Sequence, residues 1–385
     1  MTLDTALIGE KVEQARRAVA EGDCDAWLVF CRETDETAEP TLPYVLGFDV
    51  VWPTAVVVGP DESTVVLGRH DAPNAERLDV HEVRPYDESM ETALRETLAE
   101  IGAETVAVNY DRDDSAADGL TVGLYRRLQD LLPEREFVSA GEVVRRVRGL
   151  KSATELDRIR AAAETTVDLL GTAATAWTPE TTEREIVADL HDRLRARDLG
   201  TAWAWDYCPT VHLGGESDVG HTLPGDHTLG QGELFHVDFG VRQDGYAADL
   251  QRLWVRGEPS PGLESVFEDV RAAIDAGHER LAAGVPGHEV DAAARETLID
   301  RGHPAFQHAF GHQVGRVAHD GGTLLGPEWE RYGDAPRGEV RAGEIYTLEL
   351  GVETEWGYVG QEEMVRVTES GPEWIVPPQT ALNRL

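Results

Sequence analysis

Lysine is almost missing from this chain of 385 residues, since it occurs only at Lys11 and Lys151. Asp and Glu number 72 against 35 Lys plus Arg, which gives a formal net charge of -37. Because so acidic a surface repels phosphate backbones and anionic lipid headgroups, nucleic acid and membranes are excluded as partners. The acidic residues are spread along the whole chain, which predicts a surface kept soluble in concentrated salt and a halophilic source. An acid-rich protein of an ordinary cell is the alternative.

Cysteine and long apolar runs are scarce as well. Cys24, Cys31 and Cys208 are too few and too scattered for a disulfide framework or a zinc ribbon, so we expect small buried side chains. No run of about 18 apolar residues occurs, and the N-terminal stretch MTLDTALIGEKVEQARRAVA has no apolar core of the signal-peptide kind. The sequence therefore predicts a soluble, cytoplasmic protein.

Hydrophobic residues make up 41% of the chain, enough for a sizeable core. The N-terminal part alternates β-rich apolar runs with helical patterns, which predicts an α/β domain over residues 1–148. The predicted strands are AWLVF (26–30), TAVVVG (54–59), STVVLG (63–68) and TVAVNY (105–110), and the predicted helices lie near 5–21, 89–101 and 117–131.

A capping box marks the start of a second domain, over residues 149–385. Ser152 and Glu155 have the S-x-x-E spacing that opens a helix. Beyond them, the order helix, proline break, helix and hairpin occurs twice, with weak identity between the halves, so an ancient duplication is the favoured explanation. The predicted helices are 152–176, 181–197, 262–283 and 288–301, and the hairpins are HVDFGVRQDGYAADLQRLWV and YTLELGVETEWGYVGQEEMVRV.

The first hairpin brings two aspartates together, because Asp238 and Asp249 lie eleven residues apart around the turn sequence QDG. A two-residue turn at Gln243-Asp244 would put them directly opposite each other. A turn at Asp244-Gly245 would leave them diagonal on the same face. Either register places the two carboxylates close together.

The second hairpin does the same with two glutamates. Glu349 and Glu362 lie thirteen residues apart, and a turn centred on residues 355 and 356 pairs them directly. The same register turns Glu363 to the other face, where we expect it, like Asp244, to be a solvated acid.

Carboxylates held about 4.5–5.5 Å apart across strands repel each other unless cations neutralise them. Each of the four could instead be a solvated acid, one of 72 in the chain. Two such pairs in one domain, with Leu348, Leu350, Val237 and Phe239 as apolar flanks, favour inward-facing carboxylates that share cations. Two divalent ions about 3.5–4 Å apart require bridging carboxylates of this kind.

The segment HAFGHQVGRVAHD (308–320) adds histidines to these acids. His308 and His312 have the i, i+4 spacing of H-E-x-x-H helices, but no glutamate follows His308, and Gly311 weakens a helix there. A zincin site is therefore excluded. Oxygen-rich ligation with one imidazole suits manganese, cobalt or iron better than a structural zinc.

Together these motifs resemble the M24 metallopeptidases, the pita-bread-fold family of methionine aminopeptidase, Xaa-Pro aminopeptidase and prolidase, and most of all its Xaa-Pro aminopeptidase and prolidase branch. The similarity covers residues 145–370 well and the N-terminal domain only by size and type. The motifs that carry it are GH (220–221), HVDFG (236–240), Asp249 with Arg252, HAFGHQVGRVAHD (308–320), YTLELG (346–351) and EEMVRVT (362–368).

The resemblance implies an α+β pita-bread catalytic domain with a pseudo-two-fold internal repeat. A creatinase/prolidase-like domain would precede it, wall the active site and make a homodimer. Two divalent ions are implied, Mn²⁺ in the first place with Co²⁺, Fe²⁺ or Zn²⁺ as alternatives, and a hydroxide between them would cleave the peptide bond before proline. Asp238 would bind one ion, His312 with Glu349 the other, and Asp249 with Glu362 both.

Other positions receive catalytic roles from the same resemblance. His319 would stabilise the tetrahedral intermediate, and His221 and His308 would line the pocket of a peptide or dipeptide substrate. Glu349 would also carry a proton from water to the leaving amine.

Leu350 and Gly360 depart from the pattern of this branch, which usually has proline and arginine there, so the substrate class stays open. Two other functions occur on the same fold: a lyase acting on a small sulfonium compound such as dimethylsulfoniopropionate, and a non-catalytic binding protein. The histidines that receive no role from the resemblance, and that we expect to be structural or on the surface, are His212, His227, His236, His278, His288 and His303.

Overall fold

The chain divides into two units, Met1–Leu150 and Lys151–Leu385, in the computed structural model, which describes residues 3–220 and 222–385. Within this described part, no helix is both long enough and apolar enough to cross a lipid bilayer.

The central strand of the first unit, β1 (Ala26–Cys31), is buried at every position. Trp27 and Val29 belong to one hydrophobic core, whereas Leu28 and Phe30 belong to another. Because successive side chains of a strand point to opposite faces, an uninterrupted apolar run requires cover on both sides of the sheet. Helices supply that cover, which confirms the predicted α/β class.

The sheet of this unit has the order β4-β3-β2-β1-β5-β6, with β1 antiparallel to β2 and parallel to β5. The remaining strands are β2 (Thr54–Val58), β3 (Ser63–Gly68), β4 (Glu82–Tyr86), β5 (Thr105–Val108) and β6 (Glu136–Ser139). The helices are α1 (Thr5–Ala20), α2 (Leu42–Val45), α3 (Ala72–Leu78), α4 (Glu91–Ile101), α5 (Val122–Leu131) and α6 (Gly141–Gly149).

Helix α5 begins later than the predicted helix near 117–131. The hydroxyl of Thr121 accepts a hydrogen bond from the amide of Leu124 and caps the helix there. Ser115–Ala117 form a separate 3₁₀ turn, because the side chain of Asp114 caps the amide of Ala116.

Both lysines are buried in their units. Lys11 is fully buried on α1 and donates to the carbonyl of Leu150 at 3.1 Å. Lys151 has a side chain only 2% exposed, and its Nζ lies 2.8 Å from Oδ2 of Asp320. The positive charges on the described surface therefore come from arginine.

The second unit repeats the order helix, helix, hairpin. Helix α7 opens with the predicted capping box, in which Ser152 and Glu155 bond each other's backbone amides; losing such a cap costs about 0.5–2 kcal/mol. The helices are α7 (Ala153–Ala174), α8 (Glu183–Ala196), α9 (Pro261–Arg280) and α10 (Gly287–Asp300). The strands are β7 (Gly200–Thr201), β8 (Thr210–Leu213), β9 (Leu234–Phe239), β10 (Val241–Gln243), β11 (Tyr246–Ala247), β12 (Leu250–Val255), β13 (Ile345–Thr354), β14 (Gly357–Thr368), β15 (Gly371–Trp374) and β16 (Asn383–Arg384).

Two faces of the main sheet, of order β13-β14-β12-β9-β8, have different chemistry. Val237 and Phe239 pack into the core formed with α7 and α8, and Leu348 and Leu350 into the core formed with α9 and α10. The period of two along each strand then turns the neighbouring acidic residues to the opposite face. Helices thus hold the sheet from one side and leave the other side for polar groups.

Candidate metal centre

The first hairpin adopts the second of its two possible registers. Gln243 pairs with Tyr246, so the turn residues are Asp244 and Gly245, both with positive φ (49° and 79°), as a type I′ turn requires. Asp238 consequently faces Gln251 and lies diagonal to Asp249 on the same face of the sheet.

The second hairpin has the predicted register. Glu349 pairs directly with Glu362, while Leu348 pairs with Glu363 on the other face. The two hairpins meet where Gln251 of β12 pairs with Glu362 of β14. One side of one sheet therefore holds all four carboxylates.

Glu363 lies on the predicted face, but the expectation that it is solvated is wrong. Its side chain is fully buried, with Oε2 3.1 Å from the guanidinium of Arg252 and Oε1 accepting from the amide of Gln379 at 2.7 Å. Because helices cover that side of the sheet, an acid there requires a cationic partner, which a neighbouring strand supplies.

The histidine segment runs beside β13 as extended chain and forms no helix. The carbonyl of Phe310 accepts from Glu349 at 2.7 Å, and the carbonyl of His312 accepts from Thr347 at 2.9 Å. A Cβ on Gly311 would lie 2.0 Å from the carbonyl oxygen of Thr347, so glycine is required for this close approach. The pairing carries the imidazole of His312 to the acidic face.

His312 lies among three of the four carboxylates. Its Nε2 is 3.8 Å from Oδ2 of Asp249, from Oε1 of Glu349 and from Oε1 of Glu362. These distances are too long for hydrogen bonds. They suit ligands of a shared ion, since metal–ligand bonds of about 2.0–2.2 Å put neighbouring donor atoms roughly 3–4 Å apart.

Two further observations show that these residues fit divalent metal. Asp249, His312 and Glu362 each offer a ligand atom, and these atoms all lie within 4.8 Å of one another. Oδ1 of Asp238 is buried and has no hydrogen-bond partner among the described residues. A buried carboxylate oxygen without a partner is costly unless a cation binds it.

The electrostatics of the cluster require neutralisation. Burial raises the pKa of Asp238 to about 7 and that of Glu349 to about 8. Burial and then mutual repulsion raise the pKa values of Asp249 and Glu362 well above their usual range. Burial lowers the pKa of His312 to about 3, with a further effect of the adjacent His319, so this imidazole is neutral and keeps a lone pair for a metal.

The metal-free protein is expected to lose stability as the pH rises. In the folded chain, Asp238 and Glu349 have pKa values of about 7 and about 8 and so retain their protons at neutral pH. In the unfolded chain, the same groups lose these protons near pH 4. Their stabilising contribution is complete below about pH 4 and is lost by about pH 8. Tm measured from about pH 6 to about pH 9, where exposed acids no longer titrate, should fall. Mn²⁺ should remove this fall, and a flat or rising profile without metal would contradict the cluster's electrostatics.

The three other predicted histidines differ in their placement. His319 is exposed, and its ring lies 4.2 Å from that of His312 at an angle of 68°. His308 is half-buried, its Nδ1 lies 2.8 Å from the carbonyl oxygen of Ala309, and it is near enough to affect the pKa of His312. His221, also predicted to line the pocket, lies outside the described residues.

Four polar residues beside the carboxylates were not expected at a site: Gln251, His236, His212 and Tyr358. Gln251 lies two positions after Asp249, and His236 two positions before Asp238, so each shares the acidic face by strand alternation. That period-two signal was present in the sequence. His212 pairs with His236 on the neighbouring strand, and both are buried, within the structural placement expected of them.

Two family models match this sequence. The model of metallopeptidase family M24 matches residues 157–369, more than half of the chain, and the model of the creatinase/prolidase N-terminal domain matches residues 11–150.

Individual proteins are similar over most of their length. The uncharacterized peptidase YqhT of Bacillus subtilis is 23% identical over 363 residues, which cover 94% of this chain and 96% of the relative. The Xaa-Pro dipeptidase of Pyrococcus horikoshii is 25% identical over 265 residues, covering 68% and 72%. The crystal structure of the X-Pro aminopeptidase of Thermotoga maritima superposes with a TM-score of 0.77 at 23% identity and covers 97% of this chain and 100% of that one. This likeness confirms the predicted architecture, and the M24 model match shows that the chain belongs to metallopeptidase family M24.

Proposed function

We propose that this protein is a dinuclear metal-dependent peptidase that cleaves the bond preceding proline, as an Xaa-Pro aminopeptidase or an Xaa-Pro dipeptidase. The convergence of three carboxylates, those of Asp249, Glu349 and Glu362, on the neutral imidazole of His312 carries this proposal, because at 3.8 Å that imidazole makes no hydrogen bond to any of them. The names of the relatives from Pyrococcus horikoshii and Thermotoga maritima support the choice of substrate.

Asp238 would hold one divalent ion, His312 with Glu349 the other, and Asp249 with Glu362 both. Such ions, when bound, polarise a carbonyl and lower the pKa of water towards neutrality. Five donor residues of which four are carboxylates favour Mn²⁺ or Co²⁺ over ions that prefer thiolate or several imidazoles.

Glu349 is suited to proton transfer by its exposure. Its side chain is 22% exposed, against 8% for Asp249 and 2% for Glu362. In the metal-free protein, burial raises its pKa to about 8, so this carboxyl group takes up a proton readily when no ion binds it. We assign to Glu349 the transfer of a proton from the attacking water to the leaving amine.

His319 is exposed and lies edge-on to the proposed ligand His312, which supports a role for His319 in contacting the substrate. A donor in this position would stabilise the negative charge that develops on the scissile carbonyl oxygen. His308, four residues before His312, would line the substrate pocket without contacting metal.

The substitution His319→Ala is expected to lower kcat by roughly 10²–10³-fold, the usual cost of one lost oxyanion donor. Metal content, measured by elemental analysis, should not change. The matched control is His303→Ala, which removes a histidine bonded to Asp269 outside the cluster and should leave kcat unchanged. Loss of metal from His319→Ala would instead identify this imidazole as a ligand.

A substrate panel tests the reaction itself. In high-salt buffer with Mn²⁺, we expect hydrolysis of Xaa-Pro dipeptides or of longer Xaa-Pro peptides, with Met-peptides and sulfonium compounds inert. If only dimethylsulfoniopropionate is turned over, the protein is a lyase and the peptidase proposal is wrong. If the metal-loaded protein turns over none of these compounds, a binding function is favoured. A homodimer stays a prediction, which light scattering would test.

A further inference from the structure

A string of buried polar side chains leads away from Glu362 on the acidic face. Gln251 lies directly opposite Glu362 across β12 and β14, and its side chain lowers the pKa of the Glu362 carboxyl group, as a hydrogen-bond donor does. Oε1 of Gln251 lies 2.9 Å from Nε2 of His236, and Nδ1 of His236 lies 3.0 Å from Nδ1 of His212. All three side chains in this string are buried.

The carboxylate end decides the direction of every hydrogen bond in the string. Glu362 as a metal ligand would be ionised and could only accept, so in that state Gln251 must turn its amide N–H to Glu362 and its carbonyl oxygen to His236. His236 then donates from Nε2 and accepts at Nδ1, which leaves His212 to donate from its Nδ1. His212 consequently has a lone pair on Nε2.

Both imidazoles are neutral, as this assignment requires. Burial lowers the pKa of His236 to about 3, with His212 as the second cause. Burial also lowers the pKa of His212, and Glu183 and Gly220 oppose the effect only in part. The string therefore adds no charge to the cluster.

The ring of Tyr358 packs against both histidines of the string. Its ring stands edge-on to His236 at 5.0 Å and to His212 at 6.3 Å between centroids. The two glycines beneath it are necessary, because a Cβ would lie 2.3 Å from its Cζ at Gly351 and 2.2 Å from its Cε1 at Gly360. A Cβ on Gly360 would also lie 2.7 Å from Oε1 of Gln251, so these glycines leave room for both side chains.

We propose that Gln251, His236 and His212 are positioning residues that hold the Glu362 carboxylate in its metal-binding orientation through this chain of hydrogen bonds. A carboxylate that is already held by a hydrogen-bond partner loses less conformational entropy when it binds an ion, so it binds the ion more tightly. The inference rests on the metal binding in the proposed function and is independent of the substrate.

The test measures the affinity of the full-length, metal-free protein for Mn²⁺, from the electron paramagnetic resonance signal of free Mn²⁺, together with Tm. His236→Leu is expected to raise the Kd by about 10- to 100-fold. His236→Gln should stay close to the parent protein, because its amide nitrogen reaches the place of Nε2 and still donates to Gln251. Gln251→Leu should raise the Kd as well, and adding His236→Leu to it should change little further, since both act through one contact.

A merely structural role would lower Tm without changing the Kd, as we expect for the control His303→Leu in the same unit. An unchanged Kd in His236→Leu, or equal weakening in the Leu and Gln variants, would overturn the inference. If His236→Leu does not fold, His212→Leu takes its place, and an unchanged Kd there has the same meaning. A parent protein that binds no Mn²⁺ would overturn the proposed metal site as well, whereas Mn²⁺ binding without Xaa-Pro cleavage would overturn only the proposed substrate.

Discussion

Treatment with a chelator is expected to abolish peptidase activity, and Mn²⁺ or Co²⁺ to restore it. The physical reason is that every group proposed to take part in bond making would lie beside the proposed ions: His319 is next to His312, and Glu349 belongs to the proposed ligand set. Without cations, the buried carboxylates retain protons, and water in the site keeps its ordinary pKa.

The measurement is cleavage of an Xaa-Pro substrate before chelation, after it, and after addition of each metal. Circular dichroism of the chelated sample serves as the control, because the loss must occur in folded protein. A metal-free preparation that still turns over would falsify the two-metal mechanism.

Exchange of one oxygen for nitrogen, in Glu362→Gln, is expected to remove metal almost entirely. Glu362 is 2% exposed, lies 3.8 Å from Nε2 of His312 and pairs directly with Glu349, so it reaches both proposed ion positions. Its loss should weaken Mn²⁺ binding by more than about 100-fold, the upper end of what losing an outer partner of a ligand costs. Metal content after dialysis and the Kd for Mn²⁺ report the effect.

Glu363→Gln is a matched control one residue away. Glu363 pairs with Arg252 on the helix-covered face, so its loss leaves a buried guanidinium without its counter-charge. Removing one partner of such a pair costs roughly 3–5 kcal/mol of folding stability. We therefore expect Glu363→Gln to lower Tm and to retain metal. Glu362→Gln should instead lose metal without this loss of Tm. Exchanged outcomes would mean that the strand register is wrong.

The sequence was sufficient to predict those features of the site that depend on which face of a strand a residue occupies. Alternation with a period of two separates Glu362 from Glu363, and the order of motifs identifies the ligand set proposed for the metal. The turn of the first hairpin could not be decided, because Gln243-Asp244 and Asp244-Gly245 both place Asp238 and Asp249 on one face. Positive φ at Asp244 and Gly245 decides it in the structure.

Burial across the sheet could not be predicted from the sequence. Nothing near Glu363 in the chain indicates that Arg252 lies beside it, since the ion pair joins separate strands. The contact between His212 and His236 likewise depends on the pairing of β8 with β9. Such contacts follow from the packing of distant segments, which local patterns do not specify.

The two buried lysines have a consequence for work with this protein. Lys11 and Lys151 donate to Leu150 and Asp320 inside their units, and the chain has no other lysine. Amine-reactive reagents thus find no lysine side chain on the folded surface, and crosslinkers of that type cannot join two folded copies through lysine. Acylation of Lys11 would report opening of the first unit, and acylation of Lys151 opening of the second, so one reagent and one mass spectrum can follow the unfolding of each unit separately.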